Sequence, residues 1–195
     1  MPDERTIALY DAKASDYADL VVSDSADAQL EAFIDLLPAS GHVLDLGCGP
    51  AFASAQMRDA GFTVDPVDAS QGMIDIANAK FDINARLLTF DQIDMRETYD
   101  GVWANFSLLH AERDDLPRHL SAIATALRPD GIFHIGMKTG TGEARDRIDR
   151  KYTYVTENEL GDLLNKAGVT ILGADTGADA GFDGTVAPWV VMRGR

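Results

Sequence analysis

The chain has 195 residues, 46% of them hydrophobic, with 32 acidic against 17 basic side chains and a formal net charge of −15. That length and apolar content allow one sizeable core, so a single domain over residues 1–195 is expected, with 1–28 as an N-terminal helical lid segment. So large an excess of negative charge repels nucleic-acid phosphates and anionic membranes, which argues against both as partners.

The first residues, MPDERTIALYDAKASDY, lack the basic-then-apolar order of a secretory signal. No stretch reaches the roughly 20 apolar residues that span a bilayer, so a cytoplasmic protein is expected. Residues 29–37 (QLEAFIDLL) put Leu30, Phe33, Ile34 and Leu37 on one helical face, and Pro38 ends that helix. Residues 42–46 read as a strand, 50–60 as a helix stopped by Gly61, and 62–67 as a second strand, which makes a βαβ unit. Next come a helix over 71–79, carrying Met73, Ile74 and Ala77, then strands over 85–90 and 99–105 (YDGVWAN). Leu116, Leu120, Ile123 and Leu127 form the core face of a helix that stops at the turn Arg128-Pro129-Asp130-Gly131.

Residues 131–137 give the fifth strand, and Thr156-x-x-Glu159 is a capping box ahead of Leu160, Leu163 and Leu164, with Gly168 closing the helix. The β-rich runs 169–174 and 185–192 are separated only by the Gly/Asp-rich stretch 175–184, so they are expected to pair as an antiparallel hairpin. This order predicts a doubly wound, Rossmann-like α/β fold. Its seven-stranded sheet is mostly parallel with a C-terminal antiparallel hairpin, and the binding crevice lies at the strands' carboxyl ends.

The segment Val43-Leu44-Asp45-Leu46-Gly47-Cys48-Gly49-Pro50-Ala51 runs from strand through a glycine turn into a helix. Glycine at 47 and 49 permits positive φ and close backbone approach, and the helix N-terminus adds free N–H donors. A triphosphate loop needs Gly-Lys-Ser/Thr at its end, and neither lysine nor hydroxyl stands there. A dinucleotide turn needs a third glycine where Phe52 stands, and Asp45 would lie close to any phosphate. A zwitterionic amino acid with a sulfonium suits the loop better, because its ammonium welcomes carboxylate and carbonyl oxygens. A second acid, Asp68, ends the second strand, where a carboxylate can accept both hydroxyls of a ribose. The lone cysteine, Cys48, cannot form an intramolecular disulfide, and no Cys/His pattern suggests a metal.

With these residues in place, VLDLGCGPA resembles motif I of the class I S-adenosylmethionine-dependent methyltransferases, and VDPVDASQGMIDIANAK resembles the segment that follows it. DGVWANFSLLH, LRPDGIFHIGMKTG and YTYVTENELGDLLNKAG extend the resemblance from about Tyr10 to near the C-terminus. It departs at Ala51, where many relatives carry glycine, and at Thr89, where an aspartate is common. The resemblance implies that S-adenosylmethionine is the cofactor and S-adenosylhomocysteine the product. Asp45, acting through water, and Gly47, Cys48 and Gly49 would surround its methionine part, Asp68 would bind its ribose, and Met73 or Ala69 would pack by its adenine. Phe90, Asp91 and Gln92 would border the other adenine face, Asn105 and Phe106 would lie beside the ammonium and methyl group, and Tyr10 and Tyr17 would act as lid residues.

Most of these positions also have a structural reading: Asp45 and Asp68 as turn and strand-end caps, Met73 and Phe90 as core. Methyl transfer from a sulfonium needs mainly alignment and desolvation, so a general base is optional. His110, after the fourth strand, is the candidate for that base, with backbone-bonded helix start as its alternative. His134 reads as a packed strand residue and His119 as a solvated helix residue, and His42 lies at the wrong end of the sheet. Lys138, Arg145, Arg147 and Arg150, near Tyr152 and Tyr154, read either as a solvated face or as a carboxylate-binding group. The expected acceptor is a small molecule. A cofactor-binding regulatory domain and an NAD-dependent oxidoreductase remain the alternatives.

Overall fold

The computed structural model describes residues 3–21 and 27–195. Seven strands form one sheet in the order β3-β2-β1-β4-β5-β9-β8. The parallel part comprises β1 (His42–Leu46), β2 (Thr63–Asp68), β3 (Arg86–Leu87), β4 (Tyr99–Asn105) and β5 (Leu127–Lys138). The antiparallel edge is β9 (Val186–Gly194), beside β5, and then β8 (Ile171–Ala180). The predicted doubly wound sheet with its C-terminal antiparallel pair is therefore the observed one.

Side-chain alternation along the strands divides the core in two, because successive residues of a strand point to opposite faces. Val43 and Trp103 pack with Leu30 and Phe33 of α3 (Ala28–Ile34) and Met57 of α4 (Phe52–Asp59). Leu44, Leu46, Val102, Ala104, Phe133 and Ile135 turn the other way, onto α6 (Leu116–Ala126) and α7 (Glu157–Lys166). The capping box predicted at α7 is present: Glu159 N donates to Thr156 Oγ1 at 3.1 Å and Thr156 N to Glu159 Oε2 at 3.4 Å. The helix α5 (Gln71–Phe81) buries Met73, Ile74 and Ala77, as its spacing required.

Four expectations are corrected. The third strand is only two residues long, and Phe90 lies in a 3₁₀ turn, Phe90–Gln92, where the Gln92 side chain accepts from Thr89 N at 2.8 Å. That local cap competes with the ladder at the sheet edge and ends it. Leu127 leaves the helix to start β5, and residues 128–131 bulge out between the partners Tyr99↔Leu127 and Gly101↔Ile132. The stretch 175–184 is mostly strand, since β8 continues to Ala180 opposite Val186, and Gly177 allows the Trp189 ring to lie against it. Finally, the charged run after β5 contains a small hairpin, β6 (Glu143–Arg145) with β7 (Lys151–Thr153).

Two N-terminal helices, α1 (Glu4–Ala12) and α2 (Ala14–Val21), lie over the carboxyl ends of the strands and against α5. Gly72 makes the close approach possible, because a Cβ there would lie 2.9 Å from the Asp11 carbonyl oxygen.

Candidate functional site

At the end of β1 the backbone turns through Gly47 (φ +78°) and Gly49 (φ +53°), and Ala51 opens α4 in the left-handed region (φ +62°). Alanine thus adopts a conformation that glycine takes more readily, at the modest cost a small residue pays there. Gly47 N and Cys48 N both donate to Val67 O, at 2.8 and 2.9 Å, which folds the loop against the end of β2. A Cβ on Gly47 would lie 2.3 Å from the Ser107 Cβ, and Ser107 is held by its own bond to Leu46 O at 2.6 Å. Only glycine fits between these strands.

Two carboxylates flank this turn. Asp68 accepts from Gly49 N at 2.9 Å and from Ser70 N at 2.8 Å, so one side chain ties the glycine loop to the start of α5. Burial pushes its pKa up, against the backbone N–H groups of Ser70, Gly49 and Ala69. Asp45 is 2% exposed and accepts from Ser54 Oγ at 2.5 Å. Burial, opposed by the Ser54 hydroxyl and reinforced by Asp68, pushes it to about 7.

Gly47, Gly49, Asp68, Ala69 and Met73 line a cavity that continues past Leu88, Thr89 and Phe90 to Asp91 and His119. Asn105, Phe106 and Tyr17 line it at the loop end. A second cavity on the other side of the loop is lined by Asp45, Cys48, Pro50 and Trp103, and Tyr17, Gly47, Gly49 and Asn105 border both. The candidate cofactor residues expected from the sequence, Gln92 excepted, line these two cavities, with Asp45 and Cys48 on the far side of the loop. Gln92 does not reach the cavity, because it caps Thr89.

His119 was expected to be solvated and is instead 4% exposed, with its ring 5.7 Å from that of Phe90. Its position three residues after Leu116 and one before Leu120 puts it on the helix's apolar stripe, a signal legible in the sequence. His134 is fully buried, stacked 3.7 Å from Trp103 and 3.1 Å from Asn105 Oδ1.

The N-terminal helices cover the cavity. Tyr10 and Tyr17 line it, their rings 5.6 Å apart and edge-on. Asp11, a residue the sequence did not single out, accepts from Ser70 Oγ at 2.6 Å and from Gly72 N at 3.0 Å. Asp3 pairs with Arg145 at 2.5 Å, and Thr6 Oγ1 accepts from Lys151 N at 2.9 Å.

His110 also lines the cavity, but both ring nitrogens have partners within the protein. Nδ1 lies 2.7 Å from Lys151 O, which can only accept, so Nδ1 carries the proton and Nε2 accepts from the Tyr10 hydroxyl at 3.0 Å. Burial lowers its pKa to about 4, so the ring is neutral at neutral pH.

The basic run is not a solvated face throughout. Arg150 is 2% exposed, paired with Asp146 at 2.7 Å, and donates to the Tyr10 hydroxyl at 3.0 Å. Arg147 reaches Asp183, and Arg145 also reaches Asp149. Tyr152 is buried beneath Arg150, with Tyr154 next to it.

A glycine turn after β1, an acid ending β2, and an antiparallel pair closing a parallel sheet define the class I S-adenosylmethionine-dependent methyltransferase fold. The methyltransferase-domain family matches residues 43–131 of the chain. Cypemycin N-terminal methyltransferase of a Streptomyces species is 34% identical over 132 residues, which cover 64% of this chain and 54% of that protein. Trans-aconitate 2-methyltransferase of Delftia acidovorans is 31% identical over 133 residues, covering 64% and 47%. The chain thus spans about half the length of the curated relatives it matches. Among solved structures, Burkholderia thailandensis 1,6-didemethyltoxoflavin-N1-methyltransferase, with bound 1,6-didemethyltoxoflavin and S-adenosylhomocysteine, superimposes with a TM-score of 0.75 at 22% identity, covering 98% of this chain and 87% of that one. Among the described residues, no helix is long and apolar enough to cross a membrane.

Proposed function

We propose that the chain binds S-adenosylmethionine around the Gly47–Gly49 turn and transfers its methyl group to a small-molecule acceptor. The observation that carries this reading is Asp68, whose carboxylate lines the cavity and is fixed by two backbone N–H groups, with acceptor capacity left for a ribose diol. On one side of it stand Met73, Leu88 and Phe90, apolar walls for a flat base, ending at the polar Thr89 and Asp91. On the other stand Asp45 and Asn105, oxygen-bearing groups suited to an ammonium.

The donor set therefore fits a nucleoside joined to an amino acid and carries no cation for a phosphate. The chemistry such a ligand supplies is a methyl group on a sulfonium, already activated for in-line displacement. The protein's own part is to orient and dry the site. Tyr10 and Tyr17, on the covering helices, exclude water from it. His110 is in this reading a positioning residue that holds Tyr10, because its Nε2 is occupied and its ring is neutral. Lid helices tied at Asp3, Thr6, Tyr10 and Asp11 cover the cavity, which favours a small acceptor.

Calorimetric titration with S-adenosylhomocysteine and with NAD tests the cofactor. Binding of S-adenosylhomocysteine is expected, and binding of NAD alone would overturn the reading. Release of label from methyl-labelled cofactor in the presence of small acceptors tests transfer, and cofactor binding without turnover on any acceptor would favour a regulatory domain.

A further inference from the structure

Lys138 ends β5 two residues beyond Gly136, the partner of Asn105, so it stands past the carboxyl end of β4 on the face that carries Asn105's neighbour. Its Nζ lies 4.1 Å from the centre of the Tyr152 ring and close to Gly181, where a Cβ would lie 3.4 Å from it. The acids nearest in charge are already engaged. Asp146 holds Arg150 at 2.7 Å, and Asp183 accepts from Thr185 Oγ1 at 2.7 Å and meets Arg147. Among the described residues, Lys138 has no carboxylate within ion-pair distance, although the chain carries 32 acids. Burial, with Arg150 beside it, lowers its pKa against the more distant attraction of Asp183 and Asp146.

The Tyr152 ring beside the cation lies 4.9 Å from the ring of His110, which lines the cofactor cavity. The Arg150 guanidinium lies 5.7 Å from the Tyr10 ring, 5.6 Å from Phe182 and 5.2 Å from Tyr152, and Phe182 meets Tyr17 at 5.2 Å. Tyr10 and Tyr17 line the cavity itself, and Tyr10, His110 and Tyr152 are in ring contact in turn, so aromatic rings connect the cavity to Lys138. A half-buried ammonium with no carboxylate in ion-pair contact, set over the Tyr152 ring with the Arg150 guanidinium on the same ring, is arranged for a planar anion.

We propose that Lys138 is the anchor of an acceptor subsite for a small organic carboxylate, with Tyr152 and Phe182 as its walls and Arg150 behind it. This rests on the methyltransferase reading above. The carboxylate is held here as an anchor.

The test uses the full chain saturated with S-adenosylhomocysteine, titrated calorimetrically with benzoate and fumarate and with their neutral amides, benzamide and fumaramide. At least one acid is expected to bind about tenfold more tightly than its amide, the discrimination of one charge-assisted contact. Lys138→Gln should abolish that preference and Lys138→Arg should retain it. Acids and amides that bind alike, acids that fail to bind a protein which does bind S-adenosylhomocysteine, or an acid preference that survives Lys138→Gln would each overturn the proposal. Failure to bind S-adenosylhomocysteine, read in the first titration, would instead overturn the cofactor reading.

Discussion

The Tyr10 hydroxyl donates to His110 Nε2 at 3.0 Å, joining the first helix of the chain to the turn that follows β4. Arg150 donates to the same hydroxyl at 3.0 Å, so the phenol is held from two sides. If these bonds hold the lid over the cofactor, Tyr10→Phe should loosen it at the cost of two hydrogen bonds, about 2 kcal/mol. S-adenosylhomocysteine should then bind about thirtyfold more weakly by calorimetry. Unchanged affinity would show that the lid is held elsewhere, at Asp11 or Asp3.

His110 also links stability to pH. Its folded pKa of about 4 lies below the ordinary 6.5, so between those values the unfolded chain binds the extra proton and stability falls as the pH falls. The shift corresponds to about 3 kcal/mol when the pH lies below both values. Asp45, held up at about 7, acts in the opposite sense, since the folded chain takes up its proton as the pH falls. The comparison therefore belongs between variants. His110→Asn should gain stability relative to the parent between pH 6.5 and 4 in urea titrations, and a pH-independent difference would contradict a neutral, buried ring.

Asp68→Ala should weaken S-adenosylhomocysteine binding by more than about tenfold, that is by more than about 1.4 kcal/mol. Asp68→Asn separates the two functions of the side chain, because an amide keeps one oxygen for a backbone N–H but accepts less well from a diol. Full affinity in both variants would remove Asp68 from the ribose site.

Asp45 predicts a pH-dependent affinity. With a pKa of about 7 in the free protein, the carboxyl must ionise before it can face an ammonium. S-adenosylhomocysteine should bind more tightly as the pH rises from 6 to about 8, with proton release visible as a dependence of the heat on buffer ionisation. Asp45→Asn should flatten both, and a flat profile in the parent would place the ammonium elsewhere.

Gly47→Ala should destabilise the fold by about 2 to 4 kcal/mol, combining a left-handed alanine with overpacking. The clash is with Ser107, 2.3 Å from the added carbon, so Ser107→Gly should recover part of the loss. A Gly47→Ala protein that melts with the parent would mean that the loop shifts freely.

Local patterning carried much of this architecture. The strand 99–105 is observed with its expected bounds because every inward position is apolar, and Thr156 and Glu159 cap α7 because both partners are three residues apart. Ala85 to Phe90 and the run 175–184 were misread because an edge strand owes its length to its partner and to competing turns, which one-dimensional pattern does not show. His119 was misjudged by residue type, although its spacing put it on the buried stripe.

By itself the sequence determined the alternation of strand and helix and the chemistry of the loop, since periodicity and glycine sterics act between near neighbours. It excluded a triphosphate by the missing lysine and a dinucleotide by Phe52. Tertiary structure decided what distant residues do to one another: that Asp68 clamps Gly49, that Tyr10 occupies His110, that Arg150 is buried against Asp146 while Lys138 is left without a carboxylate in ion-pair contact. Those are properties of charge and hydrogen bonding across folds of the chain, where burial removes the water that would otherwise satisfy each group alone.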